Sequence, residues 1–150
     1  MGLIRGQKGY SMKYYLAYGS NLNKRQMDLR CPDAVPVCAV TIKDYELIFR
    51  GVATIEPKPG ASVQCGVWMI SKEDERQLDR YEGYPSLYWK QDFQVELEGE
   101  TVTAMAYVMA EGTYPKRPPS TGYLRTIMEG YEDFGLDDKP LIVAATKQEE

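Results

Sequence analysis

The chain has 150 residues, 43% of them hydrophobic and 27% charged, the balance of one ordinary globular domain that can bury its core without staples. Its formal net charge of −4 argues against the broad basic footprint of a nucleic-acid binder, and no apolar run approaches membrane-spanning length. There is no histidine, which excludes Ser-His-Asp and Cys-His nucleophilic machinery and every histidine-ligated metal site.

Taken in order, residues 1–11 read as a disordered or extended lead-in upstream of Met12. They lack the apolar core of a signal peptide, and Gly6 stands where a myristoylation signal wants Ser or Thr, so the expected location is the cytoplasm. Residues 13–18 are aromatic and apolar and predict a strand that stops at Gly19. Ser20, Asn21 and Asn23 are good N-cap residues ahead of a helix that runs to about Arg30. A strand that breaks at a glycine and feeds a helix start exposes unpaired backbone N–H groups, a ready site for a carboxylate or an oxyanion. The same spacing also suits an ordinary strand–turn–helix connection. Pro32 then ends the helix.

Residues 35–50 predict strand, with a turn or bulge at Lys43-Asp44. Residues 56–60, Glu-Pro-Lys-Pro-Gly, predict a loop, and residues 62–70 a mostly buried strand. Ser71 caps a helix from Lys72 to about Tyr81, with Asp74 at the capping-box position and Gly83 as the stop. Residues 87–97 and 101–109 form the best hairpin in the chain, joined through Glu98-Gly99-Glu100. A proline-rich loop over 113–119 leads to a helix capped by Ser120 and ending near Gly135. Residues 141–145 predict a last strand or docked segment, which closes a single domain over 12–145, and residues 146–150 predict a frayed tail. Strands outnumber helices and are linked by hairpins and helices alike. The class is therefore α+β, with a curled, mostly antiparallel or mixed sheet flanked by a few helices, for which a small barrel-like form would remove the exposed edges.

Without histidine, acid–base chemistry has to use a carboxylate, Lys, Tyr or Cys. Glu82 stands apart from the other acids. It lies near a helix C-terminus, between Tyr81 and Gly83, with Tyr84, Tyr88 and Trp89 close behind. The negative end of the helix dipole and desolvation by aromatic neighbours both disfavour the charged carboxylate, the direction wanted for a general acid–base. A solvated loop glutamate is the plainer alternative. Tyr15, Tyr18, Tyr88, Tyr107 and Tyr123 fall on strands or a helix start, as core residues with tethered hydroxyls. Cys31, Cys38 and Cys65 include no C-x-x-C pair and read as small buried apolar residues in a reducing compartment. No metal or other cofactor is called for.

Tyr18-Gly19-Ser20-Asn21-Leu22 after an aromatic strand, followed in order by Glu82-Gly83, Tyr107-Val108-Met109, Pro118-Pro119-Ser120 and Tyr123, resembles the γ-glutamylcyclotransferase family. The likeness runs from about Met12 to Leu136. It implies the barrel-like fold and an intramolecular aminolysis. The α-amino group of a γ-glutamyl compound attacks its own γ-carbonyl, leaving 5-oxoproline and releasing an amino acid or amine. The resemblance implies that Glu82 moves the protons. It implies too that Tyr15, Leu16, Ala17, Tyr18, Gly19, Ser20 and Asn21 hold the glutamyl group and that Tyr123 touches the substrate. Backbone N–H groups from Gly19 to Asn21 suit the oxyanion, and Tyr88 and Tyr107 suit shaping the pocket or orienting Glu82. The partner implied is a small γ-glutamyl molecule, with neither nucleic acid nor membrane, handled by a monomer or homodimer. Three alternatives stay open: a non-catalytic γ-glutamyl-binding or scaffold protein of the same fold, hydrolysis of a γ-glutamyl amide, and a nucleic-acid-binding barrel, which the acidic balance disfavours.

Overall fold

A computed structural model of the chain describes residues 12–147; the predicted lead-in and residues 148–150 of the predicted tail lie outside them. The elements are β1 (Met12–Ala17), a 3-10 turn (Ser20–Leu22), α1 (Lys24–Arg30), β2 (Val35–Arg50), β3 (Val52–Ser71), α2 (Lys72–Glu82), β4 (Trp89–Leu97), β5 (Glu100–Val108), α3 (Thr121–Phe134) and α4 (Lys139–Thr146). The five strands make one mixed sheet in the order β2-β3-β1-β5-β4. Short β1 is its middle, antiparallel to β3 and parallel to β5. Its inner residues Tyr15, Leu16 and Ala17 are accordingly all buried.

The sheet curls without closing, so the barrel-like expectation stops short of a barrel. No backbone ladder joins the outer strands β2 and β4 among the described residues. Side chains bridge them instead. Gln91 Nε2 donates to Tyr45 Oη at 2.9 Å, and the Tyr45 and Phe93 rings meet edge to face at 5.2 Å.

Two local expectations are corrected. The Glu56-Pro57-Lys58-Pro59-Gly60 stretch is part of strand β3 and not a loop. There β3 has β2 alone as a strand neighbour, because β1 pairs only with Gly66 through Ser71. A strand with one free side tolerates proline's missing donor. The predicted bulge is present: the β2–β3 register shifts between Lys43 and Tyr45, and Asp44, at φ +66°, accepts from the Gly60 N–H at 2.9 Å. The second correction concerns residues 141–145, where the strand alternative falls and the docked segment holds: they lie in helix α4, docked through buried Leu141 and Ala145. Pro140 in its first turn needs no intrahelical N–H partner. Cys38 is a third departure. It is exposed on β2, whereas Cys31 and Cys65 are buried.

The caps follow the sequence closely. Ser71 and Asp74 form the reciprocal capping box, and Gly83 closes α2 in the left-handed conformation at φ +69°. Ser120 caps α3, which ends at Gly135, also left-handed.

Helix α3 presses directly on the 3-10 turn. A Cβ at Gly130 would lie 2.6 Å from Leu22 Cβ and 2.7 Å from the Asn23 nitrogen, closer than packed atoms sit. Buried Asn23 tightens the joint: its Nδ2 donates to the Thr126 carbonyl and to Glu129, while its Oδ1 caps α1 through the Gln26 N–H. Replacing Gly130 by Ala therefore forces helix and turn apart. The expected cost is about 1–3 kcal/mol, the usual range for overpacking, read as a lower urea midpoint at unchanged m-value.

Candidate active site

Beyond β1 the chain turns across the mouth of the curled sheet, and a cavity of about 250 Å³ opens there. Its walls come from the β1 end and turn (Tyr15, Tyr18 to Asn21), the start of β3 (Val52, Ala53), the end of α2 (Tyr81, Glu82), and Leu87, Tyr88, Tyr107 and Tyr123. Strand, turn, helix end and hairpin, spread over more than a hundred residues of sequence, meet at this one place. Leu16 and Ala17, grouped with the binding segment from the sequence, are buried strand residues that do not line the cavity.

Asn21 is the polar centre of the site. Its Nδ2 donates to Glu82 Oε2 at 3.1 Å and to Tyr15 Oη at 2.9 Å, and its Oδ1 accepts from Arg30 Nη1 at 2.5 Å. Its backbone carbonyl accepts the Trp68 indole N–H at 3.0 Å, which fixes the turn to β3. Arg30 is itself held, by Gln26 Oε1 at 2.9 Å and by its stack on the Tyr81 ring at 3.6 Å. Tyr81 in turn shares a hydrogen bond with Ser20 Oγ at 2.9 Å.

Glu82 is the last residue of α2, where Gly83 reverses the chain. Burial pushes its carboxyl up to about 7, against the opposing pull of the Arg30 charge and the Asn21 hydrogen bond. The direction is the one expected from the sequence, but only part of the expected aromatic set supplies it. Tyr84 and Trp89 are exposed, whereas Tyr81 and Tyr88 line the cavity with Glu82, joined there by Tyr15, Tyr18, Tyr107 and Tyr123.

The tyrosine hydroxyls divide into two sets. Those of Tyr18, Tyr88 and Tyr107 donate to the Tyr107 carbonyl, the Ala53 carbonyl and Asp79 Oδ1, each at 2.5 Å, so their protons are already engaged. Neither Tyr88 nor Tyr107 hydrogen-bonds Glu82. Tyr15 and Tyr123 instead accept, from Asn21 and from the Ala53 N–H at 3.0 Å, and their own protons have no acceptor among the described residues. Burial raises all five hydroxyls well above the usual phenol range, which keeps them donors at neutral pH.

The backbone N–H groups of Gly19, Ser20 and Asn21 also have no acceptor among the described residues. Gly19 leaves the floor open: a Cβ there would sit 3.4 Å from Ala53 Cβ and 3.6 Å from Tyr123 Oη. The two buried thiols, Cys31 and Cys65, are not reactive groups. Burial pushes Cys31 up to about 12 and Cys65 well above its ordinary value. Among the described residues no three His, Cys, Asp or Glu side chains gather as a metal-binding set, and no helix is long and apolar enough to cross a membrane. Arg30 escaped the sequence reading, since nothing local marks a helix-surface arginine as the partner of an asparagine nine residues back.

Known proteins resemble this chain in sequence and in fold. A family model described as gamma-glutamyl cyclotransferase, AIG2-like, matches residues 15–131, a span that contains every residue lining the cavity. The gamma-glutamylcyclotransferase of Mus musculus is 34% identical over 145 residues, covering 87% of this chain and 76% of its own length. That of Homo sapiens is 34% identical over 136 residues, covering 81% and 71%. The solved structure of a gamma-glutamyl cyclotransferase superposes with a TM-score of 0.79 at 30% identity, over 90% of this chain and 88% of that one.

Because the chain has no histidine, a carboxyl titrating near pH 7 has little company there beyond the terminal amine. Carboxyl-detected NMR is expected to show Glu82 titrating near 7. Arg30→Gln removes a charge that favours the carboxylate, so it moves that titration further up. Linkage gives a matching sign. The folded carboxyl binds its proton more tightly than the unfolded one, whose ordinary value is 4.5, so wild type loses stability as pH rises from about 4.5 through 7. Glu82→Gln escapes that loss, and the gap between the two unfolding curves widens over the same window.

Proposed function

The chain belongs to the gamma-glutamyl cyclotransferase, AIG2-like family, and from that premise we propose that it converts γ-glutamyl compounds to 5-oxoproline with Glu82 as the proton-transferring group. The substrate supplies its own nucleophile. Ring closure therefore needs a folded substrate, a proton acceptor and a place for negative charge. Folding the glutamyl chain in a fitted cavity can supply an effective concentration of about 10⁵ M or more.

The proton inventory defines the work of Glu82. The attacking α-nitrogen enters as an ammonium and ends as a lactam N–H, so two protons leave it. The leaving nitrogen starts as an amide N–H and departs as an ammonium, so two protons arrive. As a carboxylate, Glu82 takes the first proton and frees the amine to attack the γ-carbonyl carbon. As a carboxylic acid, it returns a proton to the leaving nitrogen as the C–N bond breaks, and the second transfer uses the same group or solvent. A carboxyl poised at about 7 can serve as base and acid at neutral pH with little bias toward either.

The unpartnered N–H groups of Gly19, Ser20 and Asn21 suit the tetrahedral oxyanion, and the free hydroxyl protons of Tyr15 and Tyr123 suit the glutamyl α-carboxylate. Tyr18, Tyr88 and Tyr107 give the apolar faces that keep Glu82 dry. A cytoplasmic setting fits the three unpaired cysteines. The single observation that carries this reading is Glu82 itself: a carboxyl raised to about 7, held by Asn21 and facing the cavity.

The test is a mass-spectrometric product screen over γ-glutamyl amino acids and γ-glutamyl amines, with wild type beside Glu82→Gln. Wild type is expected to form 5-oxoproline, with kcat/KM controlled by a group near pH 7. Glu82→Gln is expected to lose about 10²–10⁴-fold in kcat while still binding donor. Full turnover by the variant removes Glu82 from the mechanism. Glutamate in place of 5-oxoproline means hydrolysis, and saturable binding with no product means a binding protein.

A further inference from the structure

A second cavity, about 750 Å³, adjoins the first and shares Val52, Leu87 and Tyr123 with it. Its outer wall is the β2–β3 turn at Gly51 together with the proline-rich segment before α3, including Arg117, Pro118, Pro119 and Ser120. The glutamyl half of a substrate has its polar partners in the first cavity. With the γ-carbonyl at the Gly19–Asn21 amides, the leaving half must extend past the shared wall, and the second cavity is the space that adjoins there.

The two arginines of that cavity differ in what they have left to give. Arg50 is largely buried and committed: it pairs with Glu56 Oε2 through Nε and Nη2 at 3.0 and 2.6 Å, and donates to the Tyr114 carbonyl. The pair is neutral as a unit. Arg117 is anchored by its backbone alone, donating to the Phe49 carbonyl at 3.1 Å and accepting from the Gly51 N–H at 2.9 Å. Its guanidinium has no ion-pair or hydrogen-bond partner among the described residues. It lies across Gly51, where a Cβ would stand only 2.7 Å from Nη2 and 3.2 Å from Nε. Gly51, at φ +85°, thus turns the hairpin and leaves room for the guanidinium. The net charge that this wall presents is one uncommitted, planar cation, the geometry that grips a carboxylate with two parallel N–H donors.

The geometry points to the second cavity as the leaving-group subsite, with Arg117 as the residue that takes the leaving group's own carboxylate and so prefers γ-glutamyl amino acids over γ-glutamyl amines. The inference rests on the cyclotransferase reading for where the glutamyl half sits. Arg117 touches no reacting atom; its effect is on specificity.

A matched pair isolates the carboxylate, because ethylamine is alanine without it. Wild type is expected to favour γ-glutamylalanine over γ-glutamylethylamine in kcat/KM. Arg117→Gln is expected to shrink that ratio about 10- to 100-fold, the loss of a hydrogen bond to a charged group, and Arg117→Lys to keep much of it. Arg117→Glu is expected to turn the preference toward amine leaving groups that carry a second cationic end. A wild type without preference, or a ratio untouched by Arg117→Gln, overturns the assignment.

Calorimetry with the two intact donors on Glu82→Gln, with and without Arg117→Gln, reads the same contact without turnover. A binding advantage for the alanine donor that disappears with Arg117→Gln supports the subsite, and an advantage that persists overturns it. If wild type forms no 5-oxoproline while the Arg117-dependent binding is present, the cyclotransferase reading fails and the subsite stands.

Discussion

One amide, that of Asn21, ties the chemistry of this fold to its architecture. Its side chain reaches Glu82, Tyr15 and Arg30, and its backbone carbonyl takes the Trp68 indole N–H. Each partner belongs to a different element: the end of α2, β1, α1 and β3. The turn that carries Asn21 is in turn clamped from behind by α3, through the bare Cα of Gly130 and the side chain of Asn23. Buried polar groups are costly unless satisfied. Asn21, through its side-chain amide and its backbone carbonyl together, therefore fixes the mutual placement of four elements as firmly as an apolar contact would, and with far more directional precision.

Asn21 also explains how a cation and a buried carboxyl coexist without forming an ion pair. Direct contact with Arg30 would hold Glu82 ionised and drive its proton affinity down. An amide between them transmits part of that field through its dipole and keeps the guanidinium one residue away. Burial therefore outweighs Arg30, and the carboxyl rests near 7 rather than in the ordinary carboxylate range. The stack of Arg30 on Tyr81 and its bond to Gln26 keep the cation from swinging inward.

Local signals carried most of the fold. Ser71 with Asp74, Ser120, Gly83 and Gly135 mark helix ends by chemistry that acts within a few residues, and the Glu98-Gly99 reversal is a matter of positive φ at both positions. The errors fell where a distant neighbour decides. Pro57 and Pro59 read as loop until the free side of β3 is known, and residues 141–145 read equally as a strand or a docked segment until their docking as helix α4 decides. The barrel-like picture captured the curl, but closure depends on whether two edge strands pair through their backbones, and here side chains such as those of Tyr45, Gln91 and Phe93 meet instead. The site shows the same division. Glu82 and the Gly19–Asn21 turn carry their chemistry on the chain itself, whereas Arg30, Tyr81 and Arg117 acquire theirs from residues brought close only by folding.

On the proposed function, the two cavities make a division of labour that the reaction itself permits. Ring closure involves only the glutamyl carbons, the α-nitrogen and the γ-carbonyl, so the smaller cavity has to be exact in shape and polarity, and it is the one enclosed by β1, α2 and β5 with its donors preset. The departing half takes part only through the nitrogen that leaves. The pocket proposed for it can be wide, and that cavity is lined by a hairpin turn and a proline-rich segment. Tyr123 stands in the wall between them, held by the Ala53 N–H. Under the proposed assignment, changes on the outer wall can therefore alter which group departs without disturbing Asn21, Glu82 or the Gly19–Asn21 amides.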